Sequence, residues 1–294
     1  MKKILLFSIL SFFIFSCEDP IDVDVADAPA QVVVDAFLNN QNVLQEINLS
    51  YTRPIFQAST GAAITDAEVT VENTRLNNVM NFVHEGNGKY TFLPSGSTNN
   101  IGEVGDIFNL EISHGPEKYT ATAVLNRVPE IDSINQELRE NEILGPDGLY
   151  CQFFATDLEG LGDSYWIKTY KNGVFLNRPV EMNLAFDAGF DSGTPIDNIT
   201  FIPPIRELTN PVDDELLAIP YVPGDSVFVE IHSISNETFF FMETVRDQLL
   251  NSLNGIFAEP LANANGNIVN ENGEAEVLGM FNVAAISTGK YIVE

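Results

Sequence analysis

The sequence predicts a mainly β protein, with an N-terminal immunoglobulin-like antiparallel sandwich and a second β-rich domain that carries one late α-helix. The first observation is an alternation of polar and apolar residues in short runs, such as residues 45–51, where Ile47, Leu49 and Tyr51 share one face. The second is the recurrence of turn-forming residues between these runs. The third is a single apolar pattern with helical spacing, near residues 235–253.

Turn residues between alternating runs predict the hairpins. Glycine-containing turns at residues 85–88 and 114–117 predict two β-hairpins in the first half of the chain. Asn172-Gly173 predicts a third turn, because this dipeptide favours tight hairpins. It closes a strand at residues 165–171, which we expect to pair with a strand at residues 149–155.

The last third of the sequence contains the predicted helix. Ser235 is a suitable N-cap, Phe241, Val245 and Leu249 follow at nearly helical spacing, and Gly255 is a suitable stop. We expect this helix to pack against the core rather than to bind a ligand.

Other segments of the second half are less regular. Residues 185–194 and 203–214 are expected to form loops. Near the C-terminus, residues 277–281 and 283–286 are expected to form a pair of strands.

These patterns divide the chain into four segments. They are a lipoprotein signal peptide at residues 1–16, an acidic tether at 17–30, the sandwich at 31–127 and the second domain at 128–294. Residues 128–134 are expected to form the hinge into the second domain. The chain lacks the Cys–Trp–Cys core set, which excludes a true immunoglobulin domain.

The N-terminus resembles a bacterial lipoprotein signal. Lys2 and Lys3 precede an apolar run at residues 4–15, which is shorter than the roughly 20 residues that a membrane-spanning helix needs. The run ends in Ile14-Phe15-Ser16-Cys17, which resembles a lipobox. Cleavage before Cys17 gives an acylated first residue, and each buried CH₂ contributes about 0.8 kcal/mol to membrane binding. We therefore expect Cys17 to carry the lipid; the alternative is an ordinary secretory signal with an incidental cysteine.

The residues that follow the cysteine bear on its location. Glu18-Asp19 resembles the surface-export signal of Bacteroidetes lipoproteins, which predicts an outer-membrane protein that faces the cell surface. The alternative is that this acidic pair is only the start of a polar tether.

Charge and cysteine content exclude several classes of function. With 42 acidic and 14 basic residues, the net charge of −28 disfavours nucleic-acid binding. The acidic excess is explained by solubility, or more specifically by divalent-cation binding. If Cys17 is acylated, Cys151 has no intramolecular disulfide partner, and its apolar surroundings predict a small buried residue in a strand.

The sequence lacks a recognisable catalytic, cofactor or metal motif, so we expect a protein without enzymatic activity. His84, His114 and His232 are far apart in sequence, and none stands at ligand spacing from a Cys or Glu. A nucleophile elbow and a P-loop are also missing.

Two acidic loops deserve comparison with calcium sites. One runs from Asp157 to Asp163, and the other contains Asp187, Asp191 and Asp197. Neither has the alternating ligand ladder of an EF-hand. We interpret both as solvated loop carboxylates, with convergence on a cation as the alternative.

A series of short motifs occurs in a fixed order along the chain. The motifs are the lipobox, Ile64-Thr65-Asp66-Ala67-Glu68-Val69-Thr70-Val71, Gly88-Lys89-Tyr90, Val128-Pro129-Glu130-Ile131-Asp132-Ser133-Ile134, Tyr165-Trp166, the late helix, Glu259-Pro260, Asn267-Ile268 and Val277-Leu278-Gly279-Met280-Phe281. In this order they resemble an uncharacterised family of Bacteroidetes outer-membrane lipoproteins, known only as a domain of unknown function. Met280 departs from the aromatic residue expected there. The resemblance implies an accessory protein of a TonB-dependent outer-membrane transporter and supplies no catalytic residue.

Three functional hypotheses follow. The leading one is a lipid-anchored accessory or binding protein that assists a TonB-dependent transporter in nutrient capture. The second is a surface hydrolase with a spatially assembled site, which predicts a deep cleft with paired carboxylates or a serine beside His232. The third is a structural or adhesive envelope protein.

Overall fold

The computed structural model describes residues 29–53, 61–95, 100–140, 145–193, 196–251, 263–273 and 276–294. The predicted signal peptide, Cys17 and nearly all of the predicted tether lie outside these residues. Strands dominate the described chain. In chain order they are β1 (Val32–Asn39), β2 (Gln45–Tyr51), β3 (Glu68–Asn73), β4 (Asn78–Gly86), β5 (Lys89–Phe92), β6 (Ile107–His114), β7 (Glu117–Val124), β8 (Ile131–Arg139), β9 (Gly148–Ala155), β10 (Ser164–Lys171), β11 (Val174–Phe175), β12 (Asn183–Phe186), β13 (Ser226–Ile234), β14 (Val269–Asn270), β15 (Leu278–Ala284) and β16 (Ile286–Ile292).

The first sheet has nine strands and curls over its own core. Its spatial order is β14-β7-β6-β3-β4-β5-β2-β1-β15. Strand β4 pairs with β3 over residues 78–82 and with β5 over residues 83–86. A strand that changes partners along its length passes from one layer of a sandwich to the other. This confirms the predicted sandwich and the hairpins at residues 85–88 and 114–117.

Alternating side chains fill the core of the first sheet. In β1, Val32, Val34, Ala36 and Leu38 are buried, and Asp35 between them is exposed. Successive side chains of a strand point to opposite faces, so this alternation places one face of β1 against the core.

The first sheet is completed by C-terminal strands. Strand β15 pairs with β1 in parallel, from Val33 opposite Leu278 to Asn39 opposite Ala284, and β14 pairs with β7. The predicted pairing of residues 277–281 with 283–286 was wrong, since β16 pairs with β13. Only Ala285 separates β15 from β16, and a tight hairpin needs two loop residues. The division at residues 127 and 128 remains a prediction, although β14 and β15 come from beyond it.

A second sheet has the order β11-β10-β13-β16, with β12 also paired to β10. Strand β9 pairs with β8 instead of β10, so the predicted pairing of residues 149–155 with 165–171 was wrong. Strand β8 begins at Ile131, inside the predicted hinge. Both strands of the expected pair alternate correctly, but alternation carries no information about which strand is the neighbour.

Two short elements of the second half lie in segments that were expected to be loops. Strand β12 overlaps residues 185–194 of the expected loops, and its residues are all buried. Helix α1 (Pro203–Glu207) lies within residues 203–214. Pro203 and Pro204 at its start are compatible with the first turn of a helix, where a missing N–H costs nothing.

Helix α2 (Asn236–Asn251) is the predicted late helix. Ser235 caps it, because its Oγ accepts the N–H of Thr238 at 3.0 Å. Phe239 and Met242 pack against Leu184, Phe186 and Ile234, as expected of a core-packing helix. The predicted apolar face of this helix was wrong at Leu249, which is 44% exposed. The predicted stop at Gly255 lies outside the described residues.

Gly279 allows the close contact between β15 and β1. Its φ is +108°, and a Cβ atom there would lie 1.8 Å from the carbonyl oxygen of Val34. We expect Gly279→Ala to destabilise the protein by more than about 2 kcal/mol in urea unfolding. Gly224→Ala is the matched control: its φ is +95°, but nothing lies within 4 Å of the added Cβ. Equal losses for both variants would show that the close contact does not matter.

Asp106 organises the turn before β6. It is 3% exposed and accepts hydrogen bonds from the Asn73 side chain at 2.8 Å and the Glu103 N–H at 3.0 Å. The Arg75 guanidinium also donates to it and holds its pKa well below its usual range.

We expect Asp106→Asn to lower the free energy of unfolding by about 2 kcal/mol near neutral pH, because it weakens a buried charged network. A depressed carboxyl pKa stabilises the fold above the unfolded pKa of about 3.9, and this contribution is lost as the pH falls below it. The variant should therefore lose less stability on acidification than the wild type. Glu103→Gln, which changes a 77% exposed partner of the same Arg75, should have little effect. If the free energy of unfolding falls by the same amount on acidification in wild type and in Asp106→Asn, Asp106 does not have this role.

Candidate functional site

The pairing of β10 with β12 brings three aspartates together. Asp163 precedes β10 and Asp187 follows β12, and Ser164 pairs with Phe186, so the two aspartates meet at the same end of the strand pair. Asp157 follows β9 in the loop that leads to Asp163. One potential ligand atom from each of these residues lies within 4.8 Å of the other two. We call Asp157, Asp163 and Asp187 the aspartate cluster.

Backbone hydrogen bonds fix Asp187 in this cluster. Its Oδ1 accepts the N–H groups of Gly162 at 2.7 Å and Asp163 at 2.8 Å. Its own N–H donates to the carbonyl of Asp163 at 2.7 Å. Asp187 is 2% exposed, so the two loops hold its carboxylate away from solvent.

Asp157 is the most unusual member of the cluster. It is 1% exposed, and its Oδ1 accepts a hydrogen bond from the Tyr165 hydroxyl at 2.7 Å. Its Oδ2 is buried and has no hydrogen-bond partner. Burial, reinforced by the charges of Asp187 and Asp163, raises its pKa to about 6 against the opposing effects of the Tyr165 hydroxyl and the Leu158 backbone N–H.

Arg127 forms an ion pair with Asp163 of the cluster. Its Nε and Nη2 donate to the two oxygens of Asp163 at 3.1 and 2.6 Å, and Nη2 also donates to the Gly160 carbonyl at 3.0 Å. Asp197 supports the same loop by accepting the Gly160 N–H at 3.0 Å. Arg127 therefore fixes the loop that carries Asp157 and Asp163.

The structure sorts the acidic residues that the sequence singled out. Asp157, Asp163 and Asp187 converge, Asp197 supports the loop, and Asp191 is exposed and accepts the Gly193 N–H. The interpretation as solvated carboxylates was wrong for Asp157 and Asp187. Asp187 directly follows β12 and Asp157 lies two residues after β9, which is a weak signal of burial, but the β10–β12 pairing that brings Asp187 to the loop has no sequence signature.

A second candidate group of side chains lies on β10 and β13. Cross-strand pairs place Trp166 opposite His232, Lys168 opposite Glu230 and Tyr170 opposite Phe228. These six residues alternate with the buried core positions of the same strands, such as Tyr165, Ile167 and Val229, and so lie on the other side of the sheet. We call these six residues, with Phe175, the outer face.

Charged and aromatic groups contact each other on the outer face. The Lys168 Nζ lies 3.8 Å from the centre of the Trp166 ring. Glu230 Oε2 lies 3.0 Å from His232 Nε2 and accepts the Tyr170 hydroxyl at 3.1 Å. Desolvation lowers the pKa of Lys168 to about 8, although Glu230 and Asp35 oppose this shift. Such amphipathic surfaces are typical of binding sites.

The histidines and Cys151 do not form a common site. His114 lies near Tyr51, His84 packs on Tyr90, and His232 contacts Glu230. Cys151 is fully buried in β9 as predicted, and burial raises the pKa of its thiol to about 11. The cavity beside His232 has a volume of only about 40 Å³, far below the roughly 300 Å³ of a small-molecule site.

The part of the chain that the structure describes contains no helix that is both long and apolar enough to cross a membrane. The comparison with curated proteins gives no significant match. A family model with the description "Domain of unknown function (DUF4249)" matches residues 18–290. The chain therefore belongs to the family described as the domain of unknown function DUF4249.

Proposed function

We propose that this protein is a lipid-anchored, surface-facing outer-membrane accessory protein that binds a TonB-dependent transporter and assists nutrient capture. The observation that carries the proposal is the lipobox ending at Cys17, followed by an acidic tether. The family match agrees with the resemblance of the sequence motifs. The transporter partnership is what that resemblance implies.

The position of β1 suits an anchored protein. The tether precedes β1 in the chain, and β1 lies between β2 and β15 in the first sheet. Hydrogen bonds to a neighbour on each side hold this strand, unlike an edge strand, which has only one. A tether attached to an interior strand transmits a pull into the whole sheet.

The outer face supports the binding part of the proposal. It presents a tryptophan, a tyrosine and two phenylalanines beside a lysine and a glutamate. Aromatic residues and desolvated charges contribute most of the binding energy in many protein interfaces. Trp166 and Tyr170 are only partly buried, although Phe37 of β1 packs edge-on against the Trp166 ring.

Loss of the acylated thiol tests the anchor. We expect Cys17→Ser to move the protein from the outer-membrane fraction to the soluble fraction, because the thioether-linked lipid can no longer form. Cell fractionation and immunoblotting measure this shift. Cys151→Ser is the matched control and should stay with the membrane, since Cys151 is buried in a strand. Membrane retention of Cys17→Ser would contradict lipid anchoring.

Affinity purification from native membranes in mild detergent tests the partner. We expect the wild type to recover a TonB-dependent transporter and Lys168→Glu to recover at least tenfold less, because the reversed charge lies among the aromatic rings of the outer face. Leu138→Ala, which shortens a 62% exposed apolar side chain on β8, should behave like the wild type. Unchanged thermal unfolding would show that the variants are folded. Wild-type recovery without any such transporter would count against the proposal.

A further inference from the structure

The aspartate cluster has the composition and geometry of a cation site, independently of the anchor and the transporter. We propose that Asp157, Asp163 and Asp187 bind one divalent cation of the calcium class, which joins the loop before β10 to the turn after β12. The proposal combines the convergence of three carboxylates with a buried oxygen that lacks a partner.

The unpartnered Asp157 Oδ2 is the observation that points to a ligand. A buried polar atom without a hydrogen bond is costly, and native proteins rarely leave one. Asp157 is 1% exposed, and its other oxygen already accepts a hydrogen bond from the Tyr165 hydroxyl. A cation bound between Asp157 and Asp187 would supply the missing partner and offset the repulsion between their charges.

The charge of the surroundings fits a divalent ion. Three carboxylates beside the Arg127 guanidinium give a formal charge of −2. Arg127 does not exhaust Asp163, because a carboxylate offers about four lone-pair sites and the two bonds from Arg127 occupy two. The described residues also offer only oxygen ligands here, which hard cations prefer over the softer metals that bind sulfur or imidazole.

The fixed, irregular ligand set favours calcium over magnesium. Ligand atoms no more than 4.8 Å apart can meet at one cation. Calcium accepts irregular sets of oxygen ligands at roughly 2.3–2.6 Å, whereas magnesium demands a near-ideal octahedron at about 2.1 Å and gives up its bound waters reluctantly. The backbone hydrogen bonds that hold Asp187 restrict the adjustment that an octahedron would need.

The experiment uses the full chain, purified in mild detergent and treated with a chelator. Added Ca²⁺ should raise Tm by about 5 °C at a concentration about one hundred times its Kd. Terbium, a luminescent calcium substitute, should be sensitised by nearby Tyr165 and displaced by Ca²⁺. No rise in Tm up to about 10 mM Ca²⁺, above the millimolar limit of weak extracellular calcium modules, would overturn the proposal. An equal response to Mg²⁺ would overturn the calcium assignment.

Two substitutions assign the site to these residues. Asp157→Asn should weaken the Ca²⁺ response and terbium binding at least tenfold while keeping the shape of the side chain. Glu159→Gln removes the same charge from an exposed position of the same loop and should leave both responses intact. If Asp157→Asn does not fold, Asp163→Asn, at a side chain 13% exposed, provides the same measurement. A wild-type Ca²⁺ response in the folded aspartate variant would overturn the proposal.

Discussion

The parallel pairing of β15 with β1 ties the end of the described chain to its beginning. It runs from Val33 and Leu278 to Asn39 and Ala284, and Gly279 provides the close backbone contact with Val34. After Ala285 the chain enters β16 and the second sheet. Both sheets therefore depend on the placement of one C-terminal segment, which cannot form before most of the chain has been synthesised. Pairing over such a sequence separation carries a large loop-closure entropy, which favours slow folding.

The second sheet separates two kinds of surface because its strands alternate. One side of β10 and β13 carries core residues, and the other carries the outer face. The end of β10 that lies next to β12 carries the aspartate cluster. The same register thus sets the outer face and a group of carboxylates at different places on one strand. A shift of one residue would exchange the two faces and separate Asp163 from Asp187.

Local patterns predicted the strands and helix well, and long-range neighbours poorly. Residues 45–51 form β2 as expected, and Ser235 caps helix α2, because alternation and capping are properties of adjacent residues. The neighbours of β9 and of β15 could not be read from the sequence, since apolar faces of many strands are interchangeable in pattern. The aspartate cluster could not be predicted for the same reason, because it requires the β10–β12 pairing. Its members looked like ordinary loop acids.

Acidity alone does not distinguish the aspartate cluster in a chain with 42 acidic residues. Most acidic side chains gain solvation at the surface, where a charge costs little and salt screens it. Asp157 differs because it has lost that solvation without gaining a full set of hydrogen bonds. The fold must compensate for the buried charge through a proton, Arg127 or a cation. Arg127 contacts Asp163 and Gly160, and no hydrogen bond joins it to Asp157 among the described residues. A proton would neutralise the charge but leave the two loops unconnected, whereas a cation would also join them.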